Sequence, residues 1–194
     1  MLNWVICMIG LCFVSACAFR GEGNYRISEY EREKFFLSSW PEVKTHLTQQ
    51  PIQDQYRLYL YAVQVIHPPL LRYADPIAHR GEAAVPFLLE QLKQTNNEST
   101  VSDIVYLFKR MADLNIYYAD DNQALWLYLV SRAKPYVVTD GWPPIALTLL
   151  VDIQEANPSR ANRRLGRRLY DDLCSSLEIS GNARASVCRS RRSN

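Results

Sequence analysis

The sequence predicts an all-α protein whose short helices stack as antiparallel hairpins. Apolar residues recur at the 3.6-residue spacing of amphipathic helices through most of the 194 residues, and almost no segment alternates apolar with polar residues. Helix-start signatures precede several of these apolar stripes, and short polar or proline-containing segments separate them. The pattern favours a superhelical array of helix pairs, with a compact orthogonal helical bundle as the alternative.

The first two predicted helices begin at capping boxes, in which a Ser and a Glu three residues later satisfy free backbone groups. Ser28 and Glu31 open a helix that runs to about residue 38. Ser39 and Glu42 open a second one to about residue 50, with Pro41 in its first turn. The apolar face of the second helix consists of Trp40, Val43 and Leu47.

The third predicted helix begins at Pro51 and ends at the His-Pro-Pro stretch over 67–69. Its apolar stripe consists of Ile52, Tyr56, Tyr59, Leu60, Val63 and Ile66. A further helical stretch follows from Leu70, which Asp75-Pro76 is expected to break because a residue before proline avoids the helical region. Gly81 is expected to end this stretch.

The clearest helical pair covers about residues 82–113. Its first helix places Val85, Leu88, Leu89 and Leu92 on one side, and a polar turn over 95–98 leads to a cap at Thr100-x-x-Asp103. The segment GEAAVPFLLEQL from Gly81, followed by a turn and an apolar helix, resembles one HEAT-type repeat over about residues 81–114. The resemblance implies that a proline-bearing first helix packs on a second helix, in a HEAT-like or irregular array.

Three more helices complete the expected body. Asp121 is expected to cap a helix over 122–133 that is apolar on nearly every face and therefore central. The prolines that precede Ile145 start a helix to about residue 156, and Asn157-Pro158 caps a last helix to about residue 177. The apolar stripe of this last helix consists of Ala161, Leu165, Leu169, Leu173 and Leu177.

The length and composition agree with one globular domain or two very small ones. Hydrophobic residues make up 48% of the chain and charged residues 22%, which excludes a disordered or collagen-like protein. The body contains no apolar run of about 18 residues, which excludes a multi-span membrane protein. Residues 4–19 do form an apolar run that ends before Arg20, as in a secretory signal, although no Lys or Arg precedes it.

The residues at the end of this run, Val14-Ser15-Ala16-Cys17, resemble the lipobox of bacterial lipoproteins. The resemblance implies cleavage before Cys17, attachment of diacylglycerol to its thiol and acylation of the new amino terminus. Several acyl chains at one terminus give stable membrane attachment. Ala18 after the Cys favours the outer membrane, facing the periplasm. Cleavage at Ala16-Cys17-Ala18 as an ordinary secretory signal, giving a soluble secreted or periplasmic chain, and an uncleaved anchor remain alternatives.

Two cysteines then remain in the mature body, Cys174 and Cys188. An even number of cysteines in an exported chain favours a disulfide, here closing a loop of about 15 residues. Two free thiols are the alternative. The predicted organisation is a signal peptide over 1–16, a lipidated tether over 17–27, a helical domain over 28–178 and a basic tail over 179–194.

No catalytic motif occurs in the sequence. There is no glycine-rich phosphate loop, no G-x-S-x-G elbow and no H-E-x-x-H pair. Asp75, His79 and Glu82 are the one candidate set of catalytic residues. They would serve an exported hydrolase or a metal-dependent enzyme, because such enzymes need a base or metal ligands close together. A local hydrogen bond of His79 at a helix end is the ordinary alternative. We therefore expect no cofactor, no bound metal and no enzyme.

Positive charge collects near the carboxyl terminus. Residues 159–194 contain nine Arg and three acidic residues, and five of these arginines lie opposite the leucine stripe: Arg160, Arg163, Arg164, Arg167 and Arg168. Such a face suits an anionic lipid, a polysaccharide or an acidic partner, or it is simply solvated. Nucleic acid is not expected outside the cell.

Aromatic residues in predicted loops are further candidates for binding. Tyr117, Tyr118 and Trp142 lie between predicted helices, where an exposed ring would anchor a partner and a buried one would fold back onto the core. Together these features predict a lipid-anchored, non-catalytic interaction or assembly factor of the bacterial envelope. Its partners would be the membrane, through the lipid, and an envelope protein.

Overall fold

A computed structural model describes residues 26–133 and 145–159, and within them every regular element is helical and no strand occurs. This confirms the predicted all-α class. Eight α-helices lie in these ranges: α1 (Glu29–Arg32), α2 (Trp40–Thr48), α3 (Ile52–Gln64), α4 (Asp75–Ala78), α5 (Val85–Gln94), α6 (Glu98–Asp113), α7 (Gln123–Ala133) and α8 (Ile145–Ala156). A π-helical turn continues α1, and 3₁₀ turns occupy Leu71–Ala74, Gly81–Ala84 and Ala119–Asp121.

Both predicted capping boxes are present. The backbone N–H of Ser28 donates to the Glu31 carboxylate at 2.8 Å, and the N–H of Glu31 donates back to the Ser28 hydroxyl at 3.2 Å. In α2 the hydroxyl and the backbone N–H of Ser39 both donate to the Glu42 carboxylate. These bonds form within three residues of sequence, so the local pattern is enough to set where α1 and α2 begin.

The start of α6 differs from the prediction. Thr100 does not cap the helix but lies inside its first turn, where its backbone N–H donates to the Asn97 side chain at 3.0 Å. Asp103 does not reach back to a cap and instead accepts a hydrogen bond from Gln64 of α3 at 2.6 Å. Asn97 is a stronger cap than Thr, and it adds one turn to the helix.

The start of α7 is also set by an asparagine. The backbone N–H of Leu125 donates to the Asn122 side chain at 3.1 Å, so Asn122 caps α7 in place of the predicted Asp121. The helix is not buried on every side, since Leu127 is 59% exposed. The expectation of a fully central helix is therefore wrong for that face.

Asp75-Pro76 starts a helix rather than breaking one. A 3₁₀ turn leads directly into α4, and Pro76 lies in the first turn of α4. Backbone N–H groups in a first turn have no partner within the helix, so the missing N–H of proline costs no hydrogen bond. Gly81 does end this stretch, with a φ of +56° that glycine adopts without strain. A Cβ at that position would lie 2.8 Å from a side-chain carbon of Ile116.

The core runs through the whole described body. Helix α6 has the largest buried face of the described helices and packs most extensively on α8. Helices α5 and α6 form the predicted antiparallel hairpin, α7 and α8 contact each other, and α4 joins α2 and α3 to α6. None of the described helices combines the length and apolar character needed to cross a bilayer.

Candidate functional site

The structure places the three residues of the enzyme alternative in different surroundings. The Asp75 carboxylate accepts a hydrogen bond from Nε of Arg110 at 2.7 Å. Nδ1 of His79 lies 2.7 Å from the backbone carbonyl oxygen of Asp75, so that nitrogen carries the proton and donates. Glu82 is exposed, and its charge raises the pKa of Tyr117 in addition to the larger effect of burial. In the described ranges no three His, Cys, Asp or Glu side chains form a group able to hold a metal ion.

The other predicted site residues lie outside the described residues. These are the acylation site Cys17, the pair Cys174 and Cys188, and the arginines Arg160, Arg163, Arg164, Arg167 and Arg168. The loop aromatic Trp142 lies outside them as well. The described loop aromatics, Tyr117 and Tyr118, are half-buried against the core, and the Tyr118 hydroxyl donates to Asn115 at 2.7 Å. They are not free anchors.

A group of aromatic side chains at the amino-terminal end of the body was not predicted as a site. Phe36 stacks on Tyr73 with ring centroids 5.1 Å apart, and it meets Tyr61 edge-on at 5.1 Å. Trp40 lies 5.4 Å from Tyr73. Tyr73 is buried and forms the floor, whereas Phe36, Trp40 and Tyr61 are half-buried and reach the surface.

Three exposed aliphatic residues lie close to these rings in the chain. Leu37, which follows Phe36, is 69% exposed, and Leu71, which precedes Arg72, is 47% exposed. Val65 lies one helical turn after Tyr61 and is also 47% exposed. We call the four rings together with these aliphatic side chains the aromatic patch: Phe36, Trp40, Tyr61, Tyr73, Leu37, Val65 and Leu71.

The π-helical turn at Glu33–Leu37 explains why two successive phenylalanines are used. A π turn holds one more residue than an α turn, which shifts the side chains after it around the helix axis. Phe35 is buried in the core, while Phe36 lies against Tyr61 and Tyr73. The Tyr73 hydroxyl donates to the carbonyl of Phe35. Burial raises the pKa of Tyr73 to about 12, which keeps this donor protonated.

Positive charge lies beside the patch. The Arg72 guanidinium lies over the ring of Trp40, with its carbon 4.7 Å from the ring centroid. Lys44 is exposed one turn after Trp40 on α2. Neither forms a salt bridge within the described residues. The exposed carboxylate of Glu33 lies one turn before Leu37.

An ionic contact fixes the segment that carries Phe36 and Leu37. Arg57 of α3 donates to the Glu31 carboxylate, to Asp54 at 3.4 Å and to the carbonyl of Arg26 at 3.3 Å. The hydrogen bond from Arg57 holds the pKa of Glu31 below its usual value. Glu31, Asp54 and Arg57 line a cleft of about 310 Å³ between α1 and α3. The cleft contains both positive and negative side chains. Because Arg57 pairs with Glu31 and Asp54, these charges hold α1 against α3.

A second buried polar group lies where α3 meets α6. Burial raises the pKa of Asp103 to about 6, against the opposing effect of the hydrogen bond from Gln64. The hydroxyl of Tyr59 donates to the backbone carbonyl of Asp103 at 2.9 Å, and burial raises the pKa of Tyr59 as well. This carboxylate is partly buried and bonded to Gln64, so it bears on stability.

Comparison with protein-family models, with curated proteins and with solved structures finds no match. The aromatic patch is therefore the candidate site, and it is defined by geometry alone. The sequence contains one signal for this site. Phe35, Phe36 and Leu37 follow one another, and one face of a helix cannot bury three consecutive side chains. The partners Tyr61 and Tyr73 come from other elements, and only the fold brings them together.

Proposed function

We propose that the chain is a lipid-anchored, non-catalytic interaction or assembly factor of the bacterial cell envelope. One observation carries the interaction part: the half-buried rings of Phe36, Trp40 and Tyr61 form one contact cluster with Tyr73, and aliphatic residues close to them in the chain are exposed. Aromatic residues and arginine dominate the binding energy of protein interfaces. Isolated apolar side chains are normal on a surface, whereas several that surround aromatic rings point to a partner.

The anchoring part is supported by the lipobox-like segment Val14-Ser15-Ala16-Cys17 at the end of an apolar run. Nine residue steps separate Cys17 from Arg26, the first described residue. Even fully extended, they span only about 30 Å. An anchor at Cys17 would therefore keep α1 and the aromatic patch close to the membrane surface. The partner is then an envelope protein at the same membrane, which we place at the periplasmic face of the outer membrane.

Nothing in the geometry favours the hydrolase alternative with Asp75, His79 and Glu82. The Asp75 carboxylate is taken up by Arg110, and the proton of His79 is directed to a backbone carbonyl. The bond of Nδ1 leaves Nε2 of His79 as an acceptor, so what speaks against a catalytic set is that the Asp75 carboxylate pairs with Arg110 and not with the imidazole. We therefore propose recognition, not catalysis, as the role of the described body.

Site-specific photo-crosslinking in intact cells tests the proposal. A photoreactive phenylalanine analogue replaces Leu37 in the patch, and a matched chain carries it at Leu127, which is 59% exposed on α7. We expect one discrete protein crosslink in the membrane fraction from position 37 and none from position 127. The same crosslink should weaken in Cys17→Ser, which cannot be acylated. Equal smears from both positions would contradict a specific partner.

A further inference from the structure

We propose that the carboxyl of Asp103 makes the contact between α3 and α6 a pH-sensitive joint. The joint is closed while the carboxyl is protonated, and the C-terminal half of α3 opens locally from α6 when the carboxyl ionises. The inference is independent of the proposed function, because it concerns two helices of the body and no partner. Three observations carry it: the position of the carboxyl, the charges around it and the way in which the two halves of α3 are held.

The carboxyl of Asp103 is partly buried where α3 and α6 meet. Its Oδ2 accepts a hydrogen bond from Nε2 of Gln64, the last residue of α3, at 2.6 Å. The same Nε2 donates to the hydroxyl of Thr100 on α6 at 3.3 Å. The buried hydroxyl of Tyr59 donates to the backbone carbonyl of Asp103 at 2.9 Å. One residue of α6 therefore receives hydrogen bonds from two different turns of α3.

No cation balances this carboxyl within the described residues. None of the salt bridges there includes Asp103, and the two side chains that reach it from α3, Gln64 and Tyr59, carry no charge at neutral pH. The other titratable groups that act on Tyr59 are also tyrosines, Tyr56 of α3 and the half-buried Tyr106 of α6. The charged groups that act on Tyr106 form two pairs of their own, Lys109 with Asp113 and Arg110 with Asp75. Burial therefore dominates and raises the pKa of Asp103 to about 6.

The two halves of α3 are held differently. In the N-terminal half, Arg57 pairs with Glu31, and the buried amide of Gln55 donates to a backbone carbonyl of α2 at 2.9 Å. In the C-terminal half, residues 58–64, the described side-chain hydrogen bonds to other helices all reach the turn of α6 that contains Asp103. Helix α6 is itself fixed by its extensive packing on α8. A change of charge at Asp103 therefore acts on the C-terminal half of α3.

Ionisation changes the balance between the closed and the opened contact. A charged carboxylate is stabilised by water, so it favours conformations in which the end of α3 has moved away and water reaches the carboxylate. The protonated carboxyl has much less to gain from water. It can also donate its own O–H to the amide oxygen of Gln64 while it accepts from the amide nitrogen, because a glutamine amide both donates and accepts. Opening should therefore increase as the pH rises.

The size of the effect follows from the two environments of the carboxyl. Its pKa is about 6 in the closed joint, and opening returns the pKa towards the ordinary value of 3.8. The open population should then rise about tenfold between pH 5 and pH 7.5. The C-terminal half of α3 also contains Tyr61 of the aromatic patch, so the joint lies next to the candidate site.

Hydrogen–deuterium exchange of the full detergent-solubilised chain tests the proposal. Exchange is followed by mass spectrometry at pH 5 and pH 7.5 and corrected for the pH dependence of the intrinsic exchange rate. We expect the amides of residues 59–66 to lose about tenfold in protection at pH 7.5. Their exchange should depend little on urea below the unfolding transition, as for a local opening, whereas the most protected amides of α6 should follow global unfolding.

Three variants show whether the carboxyl of Asp103 is the cause. Asp103→Asn should remove the pH dependence and increase protection at pH 7.5, a gain that a misfolded chain cannot show. Gln64→Met removes the amide that supports the charged carboxylate, so it should enlarge the pH effect. Asp113→Asn, at another carboxylate of α6, should leave the effect unchanged. Exchange over 59–66 that is equal at both pH values, that follows urea as global unfolding does, or that keeps its pH dependence in Asp103→Asn would overturn the proposal.

Discussion

Replacing Asp103 with Asn should stabilise the protein at neutral pH and leave it unchanged in acid. The carboxyl lies between α3 and α6, and burial raises its pKa from 3.8 to about 6. Its ionised form is therefore less favourable in the folded chain than in the unfolded chain. Well below pH 4 both states hold the proton and there is no penalty. The penalty grows between pH 4 and 6 and is complete above pH 6.

The magnitude follows from the size of the pKa change. A difference of about two units at about 1.4 kcal/mol per unit gives a penalty of about 3 kcal/mol at pH 7.5. Asn keeps an oxygen to accept the hydrogen bond of Gln64, which is 2.6 Å in the wild type. Asn also leaves the backbone carbonyl that accepts from Tyr59 unchanged. We therefore expect Asp103→Asn to recover about 2 to 3 kcal/mol of the free energy of unfolding at pH 7.5.

Urea unfolding followed by circular dichroism at pH 7.5 and pH 4 measures this difference. Asp113→Asn on the same helix is the control, since that carboxylate forms a surface pair with Lys109 at 2.7 Å. The control should lose at most about 1 kcal/mol at pH 7.5. A gain for Asp103→Asn that is the same at both pH values, or a loss at pH 7.5, would refute the reasoning.

Three further substitutions test the fold. Gly81→Ala should lower the free energy of unfolding by about 1 to 3 kcal/mol, because φ is +56° and a Cβ would clash; thermal unfolding measures it. Tyr73→Phe should cost about 1 to 2 kcal/mol in urea unfolding, because it leaves the buried carbonyl of Phe35 without its donor. Glu31→Gln should cost at most about 1 kcal/mol above pH 5, since the partly exposed pair with Arg57 is screened. The lowered pKa of Glu31 means that this cost is lost as the pH falls through that pKa, and a cost that persists in strong acid would contradict it.

Local signals made the class and most helix starts predictable. The capping boxes at Ser28 and Ser39 satisfy backbone groups within three residues, so no distant contact is needed to form them. The errors at α6 and α7 also have a local cause. Asn97 ranks above Thr100 as a cap, in agreement with the observed start of α6, whereas Asn122 and Asp121 are nearly equal caps that the sequence pattern does not rank.

The candidate site was not predictable, because its members come from separate elements. Phe36, Tyr61 and Tyr73 lie on three segments that only the packed fold brings together. The pairing of Asp75 with Arg110 spans 35 residues, and it removes a carboxylate that the sequence offered as a catalytic group. Local pattern alone cannot show which polar groups are already satisfied.

Intact mass spectrometry of the membrane fraction tests the central claim most directly. We expect a chain that begins at Cys17 and carries diacylglycerol and one further acyl group. This species should be absent from Cys17→Ser. In the same spectrum a shift of about 2 Da on reduction would report a bond between Cys174 and Cys188. A soluble species without lipid, beginning at Phe19, would contradict the anchor and with it the placement of the patch at a membrane.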